Sequence, residues 1–370
     1  MIEPAFVEYV ASAYLVARAF TRKYDWAVAI DAAFLAFAGW ALATAASPGA
    51  ALLLLPYALG LFLVPRGALR NYAGFASAMA AVGAVLMAEP QPYLKALGYL
   101  LATTAPGALI AAGLDPGSLE GLFRYLIVSS ASVSFIIVGL SAGGELGSLL
   151  IFAGILIELG AFPAYIWVPD VYGRSAPEGL VLVSSLTKLA SALALLLIPA
   201  SPPYWAALAV GAASMLIGNL GALTPADFRR VLAYAAVVQA GFAAFAYPIT
   251  PALSAFLIFA DAVGIAGLFS HLSSPGPKWS AWALALNNVG APPLLGFWPK
   301  LVLLVEASKA YGPAWTIYLL AMIAAMIPYY ARLASSAGSG GGARPPIAAV
   351  AAVVVGALAP LWFINVLSLL

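Results

Sequence analysis

The chain is 370 residues long, 64% apolar and only 8% charged, with a mean hydropathy of +1.02. A soluble domain carries about 25% charged residues, so the composition excludes water-solvated domains, and its hydrophobicity excludes disorder. A net charge of +2 spread over scattered basic residues gives no nucleic-acid surface, which leaves a lipid-solvated helical bundle, an integral membrane protein.

In chain order, the first 24 residues hold Glu3, Glu8, Arg18, Arg22 and Lys23, with no small-residue cleavage pattern after an apolar core, so no cleavable leader is expected. Residues 4–20 carry an apolar stripe of Phe6, Tyr9, Val10, Ala13, Tyr14 and Ala17, either an interfacial helix or a fourteenth span. Thirteen windows near the length a bilayer requires follow: 26–46, 49–64, 72–88, 94–113, 122–142, 146–168, 179–199, 204–223, 231–247, 252–271, 281–307, 314–334 and 347–367. Their connections are short and rich in Pro, Gly and Ser, and 335–346 reads as a flexible loop.

The basic residues test this count. Alternating sides place Arg18, Arg22, Lys23, Arg66, Arg70, Arg124, Arg174, Arg229, Arg230, Lys278, Arg332 and Arg344 together, and only Lys95 and Lys309 opposite. Cytoplasmic loops carry the excess of Lys and Arg, so the richer side is inside.

Five charges fall within the windows: Asp31, Glu158, Lys188, Asp261 and Lys300. Each costs about 2.5–3.5 kcal/mol at the centre of a spanning helix. Asp31, near its helix end, reads as a paired structural charge, and Asp261 stands evenly between structure and function. Glu158, Lys188 and Lys300 read as functional, since desolvation disfavours charged forms and lets such groups exchange protons near working pH. Two proline breaks accompany them, Pro163 just after Glu158 and Pro292-Pro293 just before Lys300. Broken spans are tolerated where a cavity is lined. Gly160-Ala161-Phe162-Pro163 recurs as Gly290-Ala291-Pro292-Pro293, a repeat expected of an inverted-repeat transporter, or else a pair of packing kinks.

No cysteine is present, so no disulfide, thiolate zinc site or iron–sulfur cluster can form, and the lone His271, read as a solvated helix cap, leaves no haem or histidine-rich metal site. The nine tryptophans and seventeen tyrosines read mostly as interfacial aromatic belts. Asp170 and Arg174 read as fixing helix ends or a subunit contact, and Glu306 as facing a neighbour.

Phe162-Pro163, Trp167-Val168-Pro169-Asp170-Val171-Tyr172, Ala176-Pro177 and Thr187-Lys188 together resemble the proton-translocating subunit N of respiratory complex I. Gly218-Asn219-Leu220, Phe228-Arg229-Arg230-Val231-Leu232-Ala233-Tyr234, the stretch from Gly290 to Lys300 and Pro328-Tyr329-Tyr330-Ala331-Arg332-Leu333 continue the likeness in order. The resemblance implies an all-α polytopic fold of 13–14 transmembrane helices in two inverted five-helix repeats with broken helices. It divides the chain into N-terminal helices (1–70), a first repeat (71–199), a second repeat (200–335) and a loop with a last helix (336–370). It also implies proton movement along a wet axis, other membrane subunits of a complex I-like assembly as partners besides the bilayer, and quinone, flavin and iron–sulfur chemistry in those partners. Lys188 falls on the family's eighth-helix lysine and Lys300 on that of its broken twelfth helix.

Two departures stand out. The family has a lysine where this chain has Glu158, and an acid on the fifth helix where Leu100 and Leu101 stand; Gln239 replaces a histidine. Either Glu158 pairs with Lys188 or another charge in a modified path, or only the Lys188–Lys300 half is active. Three functions stay open: a proton-moving subunit of an energy-converting complex, a subunit of a multisubunit sodium/proton antiporter or membrane hydrogenase, and a scaffold whose charges merely pair.

Overall fold

A computed structural model describes residues 4–21, 27–47, 50–51, 53–54, 63–64 and 68–369. The 49–64 window lies mostly outside the described residues, as do Arg22, Lys23 and Arg66. The described helices are α1 (Pro4–Thr21), α2 (Ala27–Ala45), α3 (Ala68–Ala88), α4 (Pro92–Gly107, prolonged by the 3-10 segment Ala108–Gly113), α5 (Pro116–Ala142), α6 (Gly144–Leu159), α7 (Trp167–Arg174), α8 (Pro177–Leu197), α9 (Tyr204–Leu223), α10 (Phe228–Ala246), α11 (Pro251–Ser273), α12 (Lys278–Val289), α13 (Phe297–Tyr311), α14 (Pro313–Ser336) and α15 (Arg344–Leu369).

Local chemistry starts these helices. Proline occupies the first turn of α4, α5, α8, α11 and α14, where its missing N–H is not needed. Asp115 caps α5 by accepting the Ser118 N–H at 3.0 Å, which holds its carboxyl below the usual range. Close helix crossings use small residues: a Cβ on Gly83 would stand 2.4 Å from the Gly98 carbonyl oxygen, and one on Gly241 2.7 Å from that of Gly211.

Helices α8 and α11 form the centre and are buried nearly throughout. Around them α5, α9 and α14 turn Phe123, Ile127, Leu220 and Ile317 outward, an apolar surface suited to lipid. Among the described residues seven helical stretches are long and apolar enough to cross a membrane, including Gly144–Arg174, which runs through the first break. The 281–307 window is not among them, because its halves α12 and α13 have 12 and 15 residues. At 1.5 Å per residue they reach about 18 and 22 Å, and only in tandem match a bilayer of about 30 Å.

Helix α1 runs antiparallel along α2: Tyr14 stacks on Phe34 with ring centroids 4.3 Å apart. Arg18 Nε and the Tyr14 hydroxyl both donate to the fully buried Asp31 at 2.7 Å. Asp31 is thus the paired structural charge expected. One end of the bundle gathers Arg229, whose Nη1 donates to the Ser175 carbonyl at 3.0 Å, and Arg332, which binds the carbonyls ending α9. At the other end the Lys95 amine meets the Met87 and Leu197 carbonyls, both at 2.8 Å. The loop read as flexible is anchored: Gly340 and Gly342 donate to the Gly276 and Pro275 carbonyls at 3.1 and 3.0 Å. His271 is correspondingly buried rather than solvated, its Nε2 lying 2.9 Å from the Gly338 carbonyl oxygen.

Candidate functional site

Both breaks are built alike. Helix α6 ends at Gly160 (φ 74°) and α12 at Gly290 (φ 97°), left-handed positions that favour glycine. The Phe162–Pro163 and Pro292–Pro293 peptide bonds that follow are cis. Proline and the turn free backbone groups, and side chains take them up. The Trp167 indole N–H donates to the Ile157 carbonyl at 3.0 Å, the Phe162 N–H to Ser214 Oγ at 2.9 Å, and the Gly296 N–H to Asn287 Oδ1 at 3.0 Å. Asn287 also donates to the Ala260 carbonyl at 3.0 Å, tying α12 to α11.

Glu158 lies one turn before the first break and is 3% exposed. Its Oε1 accepts the Tyr125 hydroxyl at 2.6 Å, while Oε2 has no hydrogen-bond partner among the described residues. Lys188 does not pair with Glu158. Its amine binds Asp261 Oδ2 on α11 at 2.5 Å, and Asp261 Oδ1 is buried without a hydrogen-bond partner among the described residues. The pairing follows from the packing of α8 on α11, which sets the lysine against the aspartate and leaves Glu158, behind α8, to the hydroxyls of α5. Asp261 therefore joins the site as the counter-ion of Lys188.

Lys300 is 5% exposed and turns back on the second break. Its amine donates to the Asn288 carbonyl and, at 3.1 Å, to that of Val289, with the Phe242 ring 5.3 Å away. These carbonyls carry the negative end of the α12 dipole, so the ammonium is stabilised with no carboxylate in direct contact among the described residues. Gln239 donates to the same Asn288 carbonyl at 3.1 Å. Asp261 and Lys300 line one cavity of about 10 Å³, closed by Gln239, Asn287 and Asn288; that is about the room one water needs. Asp261 is also within electrostatic reach of the Lys300 amine. The structure thus brings Lys188, Asp261 and Lys300 together and sets Glu158 apart.

Asp170 and Arg174 take no part in this line. With Glu120 and Arg124 of α5 they close a ring of four ion pairs, 2.5 to 3.0 Å long, at the arginine-rich end. The ring clamps α7 to α5. Glu306 is ion-paired to Lys309 at 2.7 Å on the surface. Among the described residues no group of three or more His, Cys, Asp or Glu side chains could hold a metal.

The profile described as NADH:quinone oxidoreductase/Mrp antiporter, TM, matches residues 137–327, just over half of the chain and both breaks. The chain belongs to this family. NADH-quinone oxidoreductase subunit 14 of Thermus thermophilus is 31% identical over 289 residues, covering 68% of this chain and 66% of the relative, so the match spans just under two thirds of that protein. In fold the chain is similar to a chain of respiratory complex I from Thermus thermophilus with bound aureothin (TM-score 0.80, 22% identity, 96% of this chain and 98% of that one). It is likewise similar to a chain of the membrane-bound sulfane sulfur reductase, an archaeal respiratory membrane complex (TM-score 0.76, 20% identity, 97% and 96% covered). The all-α multi-pass fold with broken helices is the fold of these membrane chains.

Sequence reading passes over the hydroxyls. Tyr99 and Thr103, Tyr125, Ser129 and Ser132, and Ser184 and Ser191 beside Lys188 repeat at helical spacing and are all buried. Polar stripes inside apolar windows were the available signal. Five tyrosines (99, 125, 172, 329 and 330) are fully buried and belong to no interfacial belt.

Proposed function

We propose that the chain is the antiporter-like membrane subunit of a complex I-type quinone oxidoreductase and moves protons across the membrane while other subunits transfer electrons. In this reading 71–199 and 200–335 are the two repeats, flanked by 1–70 and 336–370, and the protein works in the cell membrane of a prokaryote. Quinone, flavin and iron–sulfur clusters belong to partner subunits; this chain contributes ionisable side chains alone. The observation that carries the reading is the shared cavity. Asp261, already paired with Lys188, also lines the cavity with Lys300, whose hydrogen bonds among the described residues go to two carbonyls and the Met326 sulfur. A counter-ion within reach of two amines lets a proton leave one as it reaches the other. A scaffold would give each buried amine its own permanent carboxylate.

The test is proton uptake per electron in membrane vesicles holding the assembled complex with Lys188→Ala or Lys300→Ala. Each change is expected to lower uptake about a hundredfold or more, the scale of losing one positioned proton carrier. Unchanged coupled uptake in both variants would return the charges to a scaffold role. Purification with small membrane subunits only, and sodium/proton exchange without electron transfer, would move the chain to the antiporter branch of its family.

A further inference from the structure

The Glu158 carboxylate and the Lys188–Asp261 pair are both buried and do not touch, and between them lies a seam of hydroxyls on three helices. Tyr125 of α5 donates to Glu158 at 2.6 Å and lies 2.9 Å from the Thr103 carbonyl of α4. Thr103 Oγ1 and Ser129 Oγ are 3.2 Å apart, and Ser129 lies one helical turn after Tyr125 on α5. One turn along α4 the Tyr99 hydroxyl, within reach of Ser132, stands 3.2 Å from Ser191 Oγ of α8. Ser191 follows Lys188 by three positions, on the same face of that helix.

We propose that this seam carries a proton from Glu158 to the Lys188–Asp261 pair, with Tyr99 and Ser191 as the joining step. This rests on the proton-moving reading above. Protonated Glu158 gives its proton to the Ser129–Thr103 hydroxyls, and each oxygen along the seam accepts one proton as it releases its own. The last, on Ser191, passes to Lys188 as Lys188 hands a proton across its 2.5 Å bond to Asp261. The net change is one proton from the Glu158 carboxyl to the Asp261 carboxylate, whose Oδ1 has no other partner among the described residues. Neutral hydroxyls are thus the conductor between the two buried charged sites.

The experiment compares Tyr99→Phe, Ser191→Ala, their double variant and Ser191→Thr, with Lys300→Ala as reference, by proton uptake per electron in vesicles of the assembled complex. Phe and Ala each remove one oxygen, while Thr keeps it. The seam predicts about a hundredfold loss in each single variant. It also predicts a double variant no worse than either single one, because members of one unit are not additive, and uptake restored by Thr. If Lys300→Ala abolishes uptake while the double variant retains it in full, the seam is wrong and the relay reading stands. If both retain it, the relay reading fails as well. Should Tyr99→Phe or Ser191→Ala not assemble, Thr103→Val against Thr103→Ser puts the same question: loss with Val alone supports the seam, and equal uptake in both overturns it.

Discussion

At the first break, α6 ends in a left-handed glycine, and the acid before it turns toward hydroxyl donors on α5. At the second, α12 ends in a left-handed glycine and an amine from α13 turns back onto the carbonyls just freed. The backbone device is the same, but the ionisable groups have opposite sign. Each break surrounds its own group with the complementary dipole: O–H donors for a carboxylate, C=O acceptors for an ammonium. A broken helix is therefore neutral as to acid or base, and the lining of the break decides which can be held. At the first break the lining suits an acid, Glu158. Tyr125 and Ser129 would offer an ammonium no negative partner, and Asp261 is already engaged by Lys188.

The comparison can be broken at several points, from the largest expected effect downward. Asp261→Asn leaves Lys188 buried without its counter-charge, and detergent-solubilised thermal unfolding should show about 3–5 kcal/mol of destabilisation. Replacing the pair by Lys188→Met with Asp261→Leu should recover most of that loss, and a double variant as unstable as the single one would mean the pair itself holds α8 to α11. Gly160→Ala and Gly290→Ala test the shared turn, each at about 1–3 kcal/mol for a left-handed non-glycine residue. Gly160→Ala should be the worse. Its Cβ would lie 2.2 Å from Val168 Cγ2, whereas Gly290 meets the flexible Lys300 Cδ at 2.8 Å.

Tyr125→Phe removes the one hydroxyl donating to Glu158 Oε1, and the same unfolding measurement should read about 1–3 kcal/mol for an unsatisfied buried acceptor. Gln239→Leu at the second break should cost less, because the Asn288 carbonyl keeps Lys300 as donor. Equal losses would mean that the two linings do not differ as described. Smallest is Arg174→Ala in the ion-pair ring, where partial exposure screens the charges. A change of about 0.2–1 kcal/mol that vanishes in high salt is expected.

Much of this was legible beforehand, and for identifiable reasons. Phe162-Pro163 and Pro292-Pro293 interrupt apolar windows, and proline acts locally, so both breaks show in one dimension. Charges in hydrocarbon are rare enough that Glu158, Lys188, Asp261 and Lys300 stand out unaided. Partners are another matter. Lys188 meets Asp261 across 73 positions, and only the packing of α8 on α11 selects it over Glu158. The hydroxyls were hidden because Ser, Thr and Tyr are unremarkable in apolar helices, where they bond their own backbone or sit at interfaces. His271 looked solvated at its helix end until the loop through Gly338 covered it.

The most direct measurement is a structure of the assembled complex at a resolution that shows ordered water. A continuous wet path is predicted from the Glu158 region past the Lys188–Asp261 pair to Lys300, with at least one water in the cavity that Asp261 and Lys300 share. Dry, separate pockets, each amine held by its own fixed counter-charge, would contradict the account.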